Sequence, residues 1–149
     1  MPGFLKTGQG KPFSVFTPFK RRWVENFDMN FLDIEEPLES KKSSPIDSDI
    51  SALKFVKNNS VNIDLWPAGE DAARDRLANF LQLKAMYYSE SRNSPIIDGT
   101  SRISPYLALG ILSPKRCILE GLKLNNFEFT SGNKGICKWI DEIVWREFY

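Results

Sequence analysis

Apolar residues in this chain recur at three- and four-residue spacing in two long stretches, and strand-like alternation is scarce beyond the first twenty positions. In "WPAGEDAARDRLANFLQLKAMYYSESR" the side chains of Ala73, Leu77, Phe80, Leu81 and Tyr88 are spaced for one helical face. Turn residues precede the stretch and acidic residues occupy its first turn, so the spacing predicts a helix. A second helix is predicted over roughly 132–149, in "GICKWIDEIVWREFY". Nearer the start, "FSVFTPFKRRWVENF" offers Thr17 as a cap and Pro18 as the first helical residue, with Phe19, Trp23 and Phe27 four apart. A short helix near 18–27 follows. Between the two long stretches, Ser104-Pro105 and Ser113-Pro114 are helix starts of one design, a hydroxyl cap followed by proline. Gly110 can close the first of them in a left-handed conformation. The run "DIEEPLESKKSSPIDSDI" has no sustained period and reads as linker, with at most a short helix at 51–56. The predicted fold is mainly α, with residues 1–66 a long irregular linker region and 67–149 a helical unit.

The last helix has two faces. On a wheel of about 100° per residue, Ile136, Ile140, Ile143, Val144 and Phe148 form a continuous apolar arc suited to a core. The opposite side gathers Trp139, Glu142, Trp145, Arg146 and Tyr149. That face fits either a partly buried helix with an Arg146–Glu142 pair, or a pocket wall on which a flat ligand stacks. Glu147 falls within the apolar arc, where a carboxylate needs a partner, and Arg102 is the expected one.

Composition narrows the chemistry. The chain has 149 residues, 42% hydrophobic and 26% charged, which suits one soluble globular unit. No apolar run approaches the roughly 20 residues of a membrane span, and the start lacks a signal-peptide segment, so a cytoplasmic location is expected. Lys and Arg number 20 against 19 Asp and Glu, so any phosphate contact has to be local. With no histidine, the Ser-His-Asp and Cys-His constellations are excluded, and carboxylates or a cofactor must carry any chemistry. Cys117 and Cys137 are isolated from each other and from other ligands, which argues against a metal site or a disulfide framework.

The "DGTSR" turn collects hydroxyls, backbone N–H groups and a guanidinium just before a helix start, a set that suits an anion. Thr100, Ser101 and Ser104 are candidate donors and Arg102 the charge. Neither a Rossmann fingerprint nor a P-loop accounts for it.

Four segments, "VFTPFKRRW", "WPAGEDAARDRL", "GTSRISPYLALGILSPKRC" and "WIDEIVWREFY", resemble in order and spacing the photolyase/cryptochrome flavoproteins, and look most like bacterial photolyases acting on cyclobutane dimers. One departure is Leu109, where many relatives carry an aromatic residue before the glycine. The resemblance covers about a third of such a protein. It implies that 67–149 is the amino-terminal part of a helical FAD-binding domain, and that an α/β antenna domain with a folate or deazaflavin pigment lies outside this chain. It further implies FAD contacts at Tyr88, Trp139 and the segment Thr100, Ser101, Arg102, Ile103, Ser104. DNA contacts are implied at Arg92, Glu142, Trp145, Arg146 and Tyr149, with Lys138 a further cationic candidate. Glu142 resembles the carboxylate that hydrogen-bonds the dimer, and Trp145 the ring on which the dimer packs. The implied activity is light-driven repair of pyrimidine dimers in damaged DNA by a monomeric parent lyase, the cofactor supplying the redox step. The isolated chain is expected to be inactive. A cryptochrome-like blue-light receptor and a cofactor-free helical interaction module are the alternatives.

Overall fold

The longest apolar arc of the sequence becomes the centre of the molecule. A computed structural model describes residues 5–32 and 63–149. The helices are α1 (Phe16–Glu25), α2 (Glu70–Leu83), α3 (Tyr88–Ser91), α4 (Ser104–Ala108), α5 (Pro114–Leu124) and α6 (Lys134–Phe148). Single 3-10 turns lie at Met29–Leu32, Ile63–Leu65 and Ala85–Tyr87. Among the described residues there is no strand, only an isolated antiparallel bridge between Lys6 and Pro12. The mainly helical class is as the periodicity predicts. The possible helix at 51–56 lies outside the described residues.

Helix α6 packs against α1, α3, α5 and the Ala85–Tyr87 turn. Its start is well specified: Asn133 accepts from the N–H groups of Gly135 at 2.8 Å and Ile136 at 3.1 Å, relieving two of the four unpaired donors of a helix terminus. Gly135 touches backbone. A Cβ there would collide with the carbonyl oxygens of Ala85 and Met86, so only glycine lets α6 seat on the turn. Ile136, Ile140, Ile143 and Val144 are buried, with Leu77, Phe80, Cys117 and Leu122 among their fellow core residues. The loop between α5 and α6 is held by buried Asn125. Its Nδ2 donates to the carbonyls of Glu128 and Ser131, and its Oδ1 accepts from the Asn133 N–H.

Local signals place several starts and stops correctly and miss others by a residue or two. Ser113 is the N-cap residue of α5 with Pro114 first in the helix, although its hydroxyl makes no cap hydrogen bond, and Gly110 takes the left-handed conformation at φ 72°. Ser104, by contrast, is already the first residue of α4, and Ile103 is its N-cap. Helix α1 starts at Phe16 after Val15, not at a Thr17 cap. Pro18 is tolerated there because the N–H it lacks belongs to the unpaired first turn.

The predicted helix through "LQLKAMYYSESR" is interrupted. Lys84 leaves helical geometry at φ −126°, and the tighter Ala85–Tyr87 turn precedes α3. An unbroken helix would put Tyr88, eight residues on, about 80° around from Phe80. The break brings the two rings edge to face at 5.8 Å and buries both. Residues 5–32 join the same body: Phe19 is buried, and Leu5, Phe13, Phe16, Trp23 and Phe27 pack on the core.

Candidate functional site

The Thr-Ser-Arg loop is held in place by charge at one end and by close packing behind. Asp98 accepts from Lys84 Nζ at 2.8 Å and pairs with Arg102 at 3.0 Å. The Lys84 hydrogen bond, and then the nearby cations, hold the Asp98 carboxyl below its ordinary pKa. Gly99 lies against Ser91 so closely that a Cβ would strike the serine side chain. Arg102 sits at φ 51°, unusual for a residue with a side chain, and its carbonyl accepts from Trp66 Nε1 at 3.0 Å.

The five loop residues have different fates. Thr100 and Ser101 line a concavity of about 590 Å³ with Arg76, Lys84, Asn79, Asp75 and Phe80. Arg102 turns to Asp98, Ile103 is buried in the core, and Ser104 opens α4 on the surface. Two hydroxyls, an amide and two cations around one hollow suit the diphosphate of a dinucleotide, against the Asp75 carboxylate on the same wall and with Arg76 and Lys84 already bonded to the Leu65 carbonyl and Asp98. Arg76, Asn79 and Lys84 escaped the sequence reading, because as exposed-looking helix residues they carried no signal of what faces them.

The second group forms around α6. Glu142 pairs with Arg92 of the α3 C-terminus, and Lys138 Nζ lies 3.6 Å from the same carboxylate oxygen. The Arg92 guanidinium stands 5.4 Å from the Tyr88 ring centroid, a cation–π distance. Its hydrogen bond to Glu142 raises the Arg92 pKa. Burial, the largest influence, raises that of the Tyr88 hydroxyl. Trp145 is half-buried and stacks on Phe16 with centroids 3.7 Å apart and planes 9° from parallel. Tyr149 lies 5.5 Å from the same indole at 23° and is 88% exposed.

Three sequence-based expectations are corrected here. Arg146 does not pair with Glu142; it is exposed and donates to the Leu107 carbonyl at 3.4 Å, while Arg92 takes the carboxylate. Arg102 is engaged by Asp98, and Glu147 instead lines a groove of about 540 Å³ with Trp23, Phe27, Lys115 and Arg146. Trp139 does not share an open face with Trp145. It is 1% exposed and packs on Phe80 at 5.2 Å, so Phe80, not Trp139, borders the Thr100–Ser101 hollow. The wheel failed because it ranks residues by phase alone, and Phe80 of α2 and Gly121 of α5 meet the flank on which Trp139 sits.

Among the described residues no group of His, Cys, Asp and Glu could hold a metal ion, and no helix is long and apolar enough to cross a membrane.

No family model matches the chain. Curated relatives do. The chain is similar to the deoxyribodipyrimidine photo-lyase of Neurospora crassa, 34% identical over all of this chain and 27% of the fungal protein. It is likewise similar to those of Vibrio cholerae (31% identical) and Escherichia coli (33%), each over 99% of this chain and about a third of the relative. Among solved structures, a bacterial class III photolyase from Agrobacterium tumefaciens superposes with a TM-score of 0.74 at 32% identity, covering 99% of this chain and 31% of that one. The chain thus spans about a third of the length of the proteins it matches. The match runs from end to end and joins sequence identity to a shared arrangement of helices, so this chain belongs to the photolyase family.

Proposed function

We propose that this chain contributes part of the flavin pocket and the lesion-facing surface of a light-driven lyase that reverses cyclobutane pyrimidine dimers in DNA. Residues 67–149 are read as the amino-terminal part of the helical flavin-binding domain, and 1–66 as the region leading into it. The observation that carries the proposal is the partly buried indole of Trp145, three residues along α6 from a carboxylate bracketed by Arg92 and Lys138. A flat ring beside cations suits an unstacked pyrimidine pair and its backbone phosphates. The names of the relatives support the same reading.

In this reading Trp145 stacks on the extruded dimer and Tyr149 extends the aromatic surface. Arg92, Lys138 and Arg146 meet phosphate. A phosphate arriving at Arg92 competes with Glu142, and the released carboxylate is then free to accept or share a proton with the dimer. Thr100 and Ser101, with Arg76 and Lys84, hold the diphosphate of FAD. Reduced FAD, when bound, supplies the electron and takes it back. The aromatic end of the cofactor finds less here, since Tyr88 and Trp139 are both buried. We therefore expect the 149-residue chain alone to neither retain FAD nor repair DNA; a submicromolar dissociation constant in a flavin titration contradicts this. The parent is read as a cytoplasmic monomer.

The test is fluorescence anisotropy with single-stranded oligonucleotides that do or do not contain a thymine dimer. Preference for the damaged strand is expected, and Trp145→Ala is expected to remove about 1–3 kcal/mol of it. A preference untouched by that substitution refutes the assigned site.

A further inference from the structure

Two rings lie nearly parallel to the Trp145 indole, and they are held very differently. Phe16, the first residue of α1, is in full stacking contact at 3.7 Å. It is half-buried and meets Phe148 edge-on at 5.9 Å and Phe19 at 6.4 Å. The helix that carries it is itself tied to α6. Phe19 packs on Phe148 at 5.2 Å, and Lys20 Nζ sits 2.6 Å from Asp141 Oδ1, with both side chains mostly buried. The Tyr149 ring is more distant from the indole and more tilted, and it meets Phe148 edge-on at 5.6 Å.

We propose that Phe16 is a positioning residue, a back plate that fixes the plane of Trp145 for a flat ligand that stacks on it. This rests on the reading of Trp145 as a stacking surface. The physical argument is pre-organisation. An indole free to change rotamer loses that freedom when a ligand orders it, whereas one already held against a fixed ring does not. Phe16 makes no contact with the ligand in this arrangement, so its effect passes through Trp145 alone. The Lys20–Asp141 pair and the Phe19–Phe148 contact keep α1 from sliding and so keep the plate in register.

The experiment uses the full chain labelled with fluorotryptophan, with the Trp145 fluorine resonance assigned through Trp145→Phe. Phe16→Leu keeps the bulk and removes the stacking plane; Phe16→Tyr restores it. Phe16→Leu is expected to shift and broaden the Trp145 resonance and leave that of Trp139 in place, which also reports that the core is intact. It should lower the preference for a dimer-containing oligonucleotide about two- to tenfold, the range of an aromatic pair. Phe16→Tyr should return both, and Tyr149→Ala should leave the Trp145 resonance sharp. An unmoved Trp145 resonance in Phe16→Leu overturns the proposal. So does a gain in damaged-strand affinity, which would make Phe16 a plug occupying the ligand's place. If Trp145→Ala leaves the oligonucleotide preference unchanged, the lesion reading fails separately, and the fluorine spectra still decide whether Phe16 sets the indole.

Discussion

Trp139 and Trp145 stand on one helix, less than two turns apart, and the environment gives them opposite roles. Trp139 fills the middle of the molecule against Phe80, closely faced by Gly121, and almost none of it meets solvent. Trp145 lies at the helix end, stacked on Phe16, with surface still open. The residue type is the same and so is the helix. What differs is the neighbour: Phe80 of α2 and Gly121 of α5 lie against the first indole, whereas Phe16 of α1 stacks on the second. An aromatic residue on a polar-looking face is therefore not by itself evidence of a pocket wall, and the half-covered ring with charges beside it is the better candidate for binding.

The hardest test of this contrast is truncation of each indole. Trp139→Ala should lose about 3–5 kcal/mol of stability in urea unfolding, the range for a large buried aromatic. Trp145→Ala should lose only about 0.5–1.5 kcal/mol, the worth of its ring contacts, while abolishing oligonucleotide discrimination. Equal losses would mean that both rings are structural. Gly135→Ala comes next. Its methyl group meets two backbone carbonyls that cannot rotate away, so about 1–3 kcal/mol of destabilisation is expected from α6 shifting off the turn. A neutral result would remove the close approach that buries Trp139.

The cysteines sharpen the same contrast between core and rim. Burial pushes the Cys117 thiol up to about 12 from an ordinary 9.0, while Cys137 is partly accessible. A thiol reagent at neutral pH should label Cys137 at once and Cys117 only as fast as the chain unfolds. Because the folded pKa is the higher one, the protonated thiol's contribution is complete below pH 9.0. It is then lost as pH rises toward about 12, so unfolding should become easier across that alkaline window. Equal labelling of both thiols contradicts the buried core.

The smallest effect belongs to the loop. Asp98 has its pKa lowered in the folded chain, so its contribution is present above the ordinary value of 3.8 and disappears as pH falls through the lowered one. The pair is more than half exposed on the aspartate side, and solvent screening keeps the contribution below about 1 kcal/mol. Comparing acid unfolding of the wild type with Asp98→Asn measures it. A difference that survives high salt would argue against an ion-pair origin.

Much of this is legible in the sequence. The Ser113-Pro114 start, the Gly110 stop, the acidic first turn of α2 and the Ile136–Val144 arc all follow from local spacing, and each is present. The motif order pointed to the family. What escaped has one character. Arg92 and Glu142 are 50 residues apart, Trp145 finds its plate in α1, and Lys84 reaches Asp98 across a loop. The Lys84 break and the partners of Arg146 and Arg102 belong to the same class.

By itself, the sequence determined which stretches are helical, several of their starts and stops, and which stripe of the last helix is apolar, because proline geometry, turn residues and a repeat near 3.6 residues act within a few positions of the chain. Tertiary structure alone decided which of two tryptophans is enclosed, which cation neutralises Glu142, and which ring holds Trp145. Those outcomes depend on what covers a given helix flank, and the phase of a helix specifies a direction in space without specifying the neighbour that will be found there.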